Sequence, residues 1–277
     1  MNIARVVRKT LLYVFLIAFG ATFILPLIWM VRSSFMETGQ LFEMPPVWIP
    51  DPLTANSYIE AVTITPFLRY ALNTIIVLVA NTFGILLTGS LSAFGFSRTR
   101  WKSREAVFVI ILTSMMLPGA VTLIPQFIAW YKMGFYNTLV PLIVPSFFGG
   151  GAFNIFLFRQ FFMTIPSELD EAAIMDGASY FRIYSSIIIP LSKSVLIVVG
   201  IFAFMAYWND FFNPLIYLND QEKFTLAIGL QQLQGQYTSR WNVIMAASTI
   251  VVAPCIFVFI IGQKFLIEGI VMTGIKG

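Results

Sequence analysis

Six long apolar runs alternate with shorter polar segments along the chain, at about residues 10–31, 70–96, 105–129, 138–162, 191–218 and 243–266. Each is near the ~20 residues that cross a bilayer as a helix. The pattern predicts an all-α membrane protein, a polytopic bundle of six transmembrane helices, as one transmembrane domain over residues 1–277. Prolines and glycines predict where the helices are irregular. Pro118 and Pro125 predict a kink or a break toward the outer end of the third span. The fourth span carries Pro141, Pro145 and the run Gly149-Gly150-Gly151. Irregular backbone at that depth must be enclosed by protein or line a wet cavity. Residues 32–67, rich in proline, read as an external loop or a set of short elements, and residues 219–240 as a second polar external segment.

Charge orients these spans. Arg5, Arg8 and Lys9 precede the first run, which is too long for a typical signal core and lacks a small-x-small cleavage site after it. It reads as a retained span with its amino end in the cytoplasm. Arg98, Arg100, Lys102 and Arg104 crowd the loop after the second run and mark it as cytoplasmic. Of 17 Lys and Arg, only Arg32, Arg69, Lys132, Lys223 and Arg240 then fall outside. Both termini, including the tail 268–277, are expected in the cytoplasm of a cell-membrane protein. The composition fits, with 58% hydrophobic and 11% charged residues, against about a quarter charged in soluble domains. The net charge of +4 is therefore a membrane-orientation signal, and no long basic run points to nucleic acid. A single cysteine, Cys255, excludes an internal disulfide, and there is no histidine. These argue against a Cys/His metal site and against His-based acid–base chemistry. No catalytic residue and no cofactor are expected.

The most polar stretch between two apolar runs is SELDEAAIMDGASYFRIYSSIIIP, residues 167–190, within a loop of about 165–190. Ser167 and Asp170 predict a variant capping box, and Glu168, Asp170 and Glu171 suit the first helical turn. Gly177 is placed to end this helix in a left-handed conformation, and Ser179 to cap the next. Leu169, Ala172, Ala173 and Asp176 share a helix face. Small side chains on that face let another surface come close.

Glu171-Ala172-Ala173, three residues, Gly177, nine residues, then Ile187-x-Ile189-Pro190 resembles the EAA loop of ABC-transporter permease subunits, with Ile189 where Leu is usual. The likeness extends along most of the chain. LSAFGFSRTRW at 91–101, WNDFFNPL at 208–215 and the closing FLIEGIVMTGIKG are similar to carbohydrate-type permeases. The short opening with its PPVWIP loop resembles the maltose-G-type half of a permease pair. The resemblance implies a permease translocating a sugar or related polar solute. It implies as partners two ATP-binding subunits, a second homologous permease and an external solute-binding protein. It also implies that the helix bearing Glu171-Ala172-Ala173, in the loop of about 165–190, is a short cytoplasmic coupling helix resting in a cleft of the ATPase, with Glu171, Ala172, Ala173, Asp176 and Gly177 as the ATPase-coupling group. Glu171 is expected to pair with an Arg of its own loop, such as Arg182, or with one on the ATPase. The chain itself has no GxxxxGK[ST] loop and so binds no ATP by that route.

Asp210 is the one acid placed within a span, which makes it a functional candidate. With Trp208, Asn209 and Asn213 it forms a candidate solute pathway, in which Asn and Asp bond sugar hydroxyls and Trp stacks on a ring. Alternatively the cluster lies in water at the outer interface, with Trp208 as a belt residue. Asn73, Asn81 and Asn154 are either lining groups or interhelical bonding partners. Two other functions compete. A stand-alone transporter driven by an ion gradient would need a relay of intramembrane acids or bases, and only Asp210 offers one. An intramembrane enzyme would need a Ser-Lys or paired-Asp arrangement at membrane depth, and none stands out.

Overall fold

The computed structural model describes the backbone of residues 3–236 and 240–274, and the side chains of residues 7–235 and 240–267. The side chains of Arg5 and of the tail 268–277, and the whole of Lys276, lie outside that set. The chain opens with α1 (Ile3–Ser34), whose apolar stretch is wholly unburied. A 3-10 turn (Gln40–Phe42) and α2 (Asn56–Thr63) follow within the proline-rich segment. α3 (Phe67–Gly84) runs through a π-helical turn, Ile85–Gly89, into α4 (Ser90–Ser97). α5 (Arg104–Ser114) and α6 (Gly119–Lys132) meet at 95°. The break lies at Pro118, which is extended (φ −60°, ψ 133°) and lacks the N–H that would continue a helix, whereas Pro125 is accommodated inside α6.

α7 (Val140–Ile143), a 3-10 turn (Val144–Phe147) and α8 (Ala152–Phe162) make up the fourth span. α9 (Glu168–Met175) is the short helix of the acidic loop. α10 (Tyr180–Ile183), a π-helical turn (Tyr184–Ile188) and α11 (Ile189–Leu191) lead to Ser192, where the path bends by 78° into α12 (Lys193–Trp208). α13 (Phe212–Tyr217), α14 (Leu226–Gln236) and α15 (Trp241–Gly274) complete the chain. Among the described residues there is no strand. Four helices are long and apolar enough to span a membrane by themselves, and six spans result when each bent pair counts as one.

Two sequence boundaries need correction. The fifth span was expected over 191–218, but the apolar helical path begins at Tyr180, and residues 209–211 are not helical. Asp210 supplies the reason for the restart. Its Oδ1 accepts from the Asn213 amide at 3.2 Å, so a side chain takes an N–H that the end of α12 would otherwise have to satisfy. The segment 219–240, expected to be merely polar, contains the eleven-residue α14 with Leu226, Ile228 and Leu233 buried. Its glutamines and glycines dilute the apolar periodicity.

The chain divides into two compact units. The larger takes Arg69–Ile228 and Cys255–Gly277. Its core centres on Phe94, Phe96, Phe108, Phe158, Phe162 and Ile188. The glycine run of the fourth span is left-handed throughout, with φ of +81°, +69° and +87° at Gly149, Gly150 and Gly151. Gly150 is buried, and a Cβ there would stand 3.0 Å from Ile85 Cα, so only glycine lets this backbone lie against the π-helical turn. The irregular backbone at Gly150 is thus enclosed by protein. Asn81 donates to Val77 and Leu142 carbonyls (2.8 and 2.9 Å), and Asn154 to Gly150 O at 2.7 Å. Asn73 donates to the carbonyls of Glu222 and Phe224 (2.8 and 2.9 Å), while Thr74 Oγ1 accepts from the Leu226 amide at 2.9 Å. Asn137, left-handed at φ 57°, accepts from the amides of Asn219 and Asp220, both at 3.0 Å. All three asparagines raised as possible lining groups therefore bond backbone of the chain itself.

The smaller unit takes the chain up to Leu68 with Gly229–Pro254. Asn242 links Thr38 and Ser57, each at 3.0 Å, and Arg240 pairs with Glu60 at 3.0 Å. The Arg32 guanidinium lies 4.2 Å from the centre of the Trp29 ring and donates to Trp48 O.

Candidate functional site

The acidic loop is built around α9. The variant capping box does not form. Ser167 is already helical (φ −72°, ψ −21°), its side chain makes no cap, and its carbonyl accepts from the amides of Asp170 and Glu171. Asp170 is instead drawn away by a stronger partner. Its Oδ2 lies 2.9 Å from Arg98 Nη1, and these side chains are 15% and 7% exposed. A bond between two charged groups outweighs one from the same carboxylate to a neutral backbone amide.

The carboxyl end forms as expected. Gly177 is left-handed at φ +78°. Its amide bonds Ile174 O at 2.9 Å, and the Ala178 amide bonds Ala173 O at 2.9 Å, the paired closure of a Schellman motif. Ser179 then caps α10, accepting from the Arg182 amide at 3.3 Å.

The shared small face is divided. Ala173 packs, with Ala178, against the core of the larger unit, while Ala172 is exposed. No residue of α9 is fully buried, and Leu169, Ile174 and Met175 are exposed, Met175 at 88%. Asp176 and Glu171 are exposed as well. Among the described residues Glu171 forms no ion pair, so the pairing with Arg182 does not occur within the chain. Beside α9 lies a cavity of about 340 Å³, lined by Arg98, Arg100, Asp170, Glu171 and Tyr180 over a floor of Phe94 and Ile183.

The second cluster follows the end of α12. Trp208 is buried and stacks on Phe204, with ring centroids 5.5 Å apart. Asn209 is exposed and donates to Met205 O at 2.8 Å. Asp210 holds the Asn213 amide and also its side chain, through Oδ2 at 2.9 Å. The four predicted residues thus lie together at a helix break, where the Asp210 carboxylate serves first as the cap of α13.

Residues 85–271 match the family of binding-protein-dependent transport system inner membrane components. The chain belongs to that family. It is 30% identical over 98% of its length to the probable ABC transporter permease protein YurM of Bacillus subtilis, covering 90% of that protein. It is also 30% identical to the sn-glycerol-3-phosphate transport system permease protein UgpE of Rhizobium meliloti, over 90% of this chain and 91% of that one. In fold it is similar to a chain from a bacterial ABC transporter involved in the import of the acidic polysaccharide alginate. The TM-score there is 0.83, with 23% identity, covering 93% of this chain and 96% of the other. The chain is therefore a multi-pass permease component of an ATP-binding-cassette importer, a class that works with ATPase and solute-binding partners and whose permeases are not in general enzymes.

Two residues of this permease escaped the sequence reading, and one of them, Arg98, is bonded to the loop. Arg98 and Arg159 were counted there only as orienting charges. Arg98 Nη2 donates to the carbonyls of Phe162 and Ile165, the latter at 2.6 Å. Arg159, 8% exposed, donates to Phe96 O at 3.1 Å and to both Glu105 oxygens at 2.8 and 2.9 Å. Its guanidinium also lies 4.1 Å from the centre of the Phe108 ring. One signal was present for Arg159. It falls inside an apolar run, where a guanidinium must find partners.

Proposed function

We propose that this permease translocates a sugar or related polyhydroxylated solute, driven by ATP hydrolysis on a separate subunit that docks on α9. The observation that carries the docking is the form of α9 itself. It is a short helix, capped at its carboxyl end, seated at its base through Ala173 and Asp170, and presenting Leu169, Ala172, Ile174 and Met175 outward. An apolar edge on a rigid cytoplasmic helix favours a soluble partner. The complex has two ATPase subunits, a second homologous permease and an external binding protein, with both termini of this chain in the cytoplasm. Trp208, Asn209, Asp210 and Asn213 border the solute path. The helix break there supports this reading, since it leaves Asn209 and Asn213 exposed in apolar surroundings. The solute class is supported by the polyol phosphate and the polysaccharide named for similar proteins.

The test is Ala172→Trp, which enlarges the exposed edge without entering the core. Co-purification of the ATPase subunit and transport should both be lost, while membrane insertion is retained. Normal transport by this variant would refute docking at α9.

A further inference from the structure

We propose that Arg98 is the positioning residue of the coupling step, locking α9 to the cytoplasmic ends of α4 and α8 so that the three move as one body. This rests on the reading that α9 receives the ATPase. Arg98 stands at the carboxyl end of α4. Its guanidinium reaches three acceptors on separate elements. Nη1 takes Asp170 Oδ2 on α9 at 2.9 Å, and Nη2 takes Phe162 O at the end of α8 and Ile165 O in the connection between α8 and α9. A planar guanidinium holds its donors in a fixed fork. A lysine ammonium on the same stem is a point charge and cannot fix the angle between those acceptors.

The rest of the seat is weak. No residue of α9 is fully buried, and its apolar contact with the core runs through the methyl groups of Ala173 and, just beyond the helix, Ala178. On the Asp170 side the helix faces the cavity of about 340 Å³ rather than packed side chains. Arg100 and Glu171 also line that cavity and form no ion pairs among the described residues. The Arg98–Asp170 pair is therefore the rigid member that spans the gap. The pair is also not optimised for stability. Arg98 Nε and Asp170 Oδ1 are buried without partners. Burying such a pair gives specificity of arrangement more readily than stability. Without it, a push on α9 would be absorbed by the connection 163–167 and by the cavity.

The experiment uses the reconstituted importer with its ATPase and binding protein, in a Cys255→Ala background. A Met175→Cys crosslink to the ATPase subunit reports docking. Arg98→Lys and Asp170→Asn should each keep that crosslink, yet lose the solute stimulation of ATP hydrolysis and at least tenfold in transport. The double variant should be no worse than either single one, because all three remove the same strut. Normal stimulation in either single variant, or losses that multiply in the double, would overturn the proposal. A crosslink absent even without these substitutions would instead indict the docking reading. Should the single variants fail to assemble, Arg98→Cys with Asp170→Cys joined by a short bifunctional thiol reagent provides the second arm. Joining should restore stimulation, and a joined pair that still gives none overturns the strut.

Discussion

Gly177 offers the sharpest separation of local strain from coupling. At φ +78° it is in the left-handed region, and a Cβ built there meets nothing within 4 Å. Gly177→Ala therefore carries no steric term, only the backbone cost of ~1–2 kcal/mol for an L-residue in that conformation. Reduced freedom of the unfolded chain offsets ~0.4–1 kcal/mol of this. The strain can be relieved only by opening the two closing hydrogen bonds, Gly177 to Ile174 and Ala178 to Ala173. At a net ~0.5–1.5 kcal/mol each, they are comparable with the strain, so the motif stands near its opening point. Gly134, at the end of α6, provides a matched control. It too has φ +78° and no atom within 4 Å of a built Cβ. It also has the same paired closure, Gly134 to Tyr131 and Phe135 to Trp130, both at 3.0 Å. The two alanine variants should lose similar stability in thermal unfolding of the purified protein, but only Gly177→Ala should lose solute-stimulated ATP hydrolysis. Gly177→Asn should lose less, because asparagine tolerates the left-handed region. If Gly177→Ala hydrolyses ATP with normal stimulation, or if Gly134→Ala loses it equally, the geometry of the α9 terminus does not matter to coupling.

Other outcomes follow from features at greater distance. Gly150→Ala adds a Cβ at 3.0 Å from Ile85 Cα and 3.1 Å from its carbonyl oxygen. Overpacking of ~1–3 kcal/mol joins the backbone strain, so this variant should lose roughly 2–5 kcal/mol, visibly more than Gly134→Ala in the same unfolding assay. Asn209→Ala and Asp210→Ala should lower transport while the complex still assembles, and full transport by both would leave the cluster as a helix cap at the interface. Cysteines placed at Asp51 and Glu222 should react with an impermeant thiol reagent from outside, and those at Lys102 and Ser179 only from inside. External reaction at Ser179→Cys would invert the topology.

What could be read from the sequence was whatever depends on near neighbours in the chain. The spans were visible because apolar length is a local property, and so was the left-handed close at Gly177, since only a few successive residues decide it. The break at Pro118 followed from the missing N–H. The capping box at Ser167 failed because Asp170 has a competing partner 72 residues earlier in the chain, Arg98, and no local rule weighs such a partner. For the same reason Arg98 and Arg159 passed as orienting charges. Ala172 and Ala173 look equivalent as neighbours, and only the packing of α9 turns one inward and the other out. The fifth span was drawn through residues 209–211 because Asp210 was placed within it, whereas its carboxylate holds the first turn of α13.

The latch on residues 217–226 is made almost entirely by that segment's peptide groups. Asn73, Asn137 and Thr74 bond the carbonyls of Glu222 and Phe224 and the amides of Asn219, Asp220 and Leu226, and the Asn137 amide takes Tyr217 O at 2.9 Å. None of those bonds reads a side chain of the segment. Its exposed letters, Asn219, Gln221 and Glu222, can therefore be rewritten, proline excepted at position 219, without undoing the latch, whereas Tyr217, Leu218 and Leu226 are also held by burial. Inserting or deleting a single residue, by contrast, would put the whole set of clasps out of step.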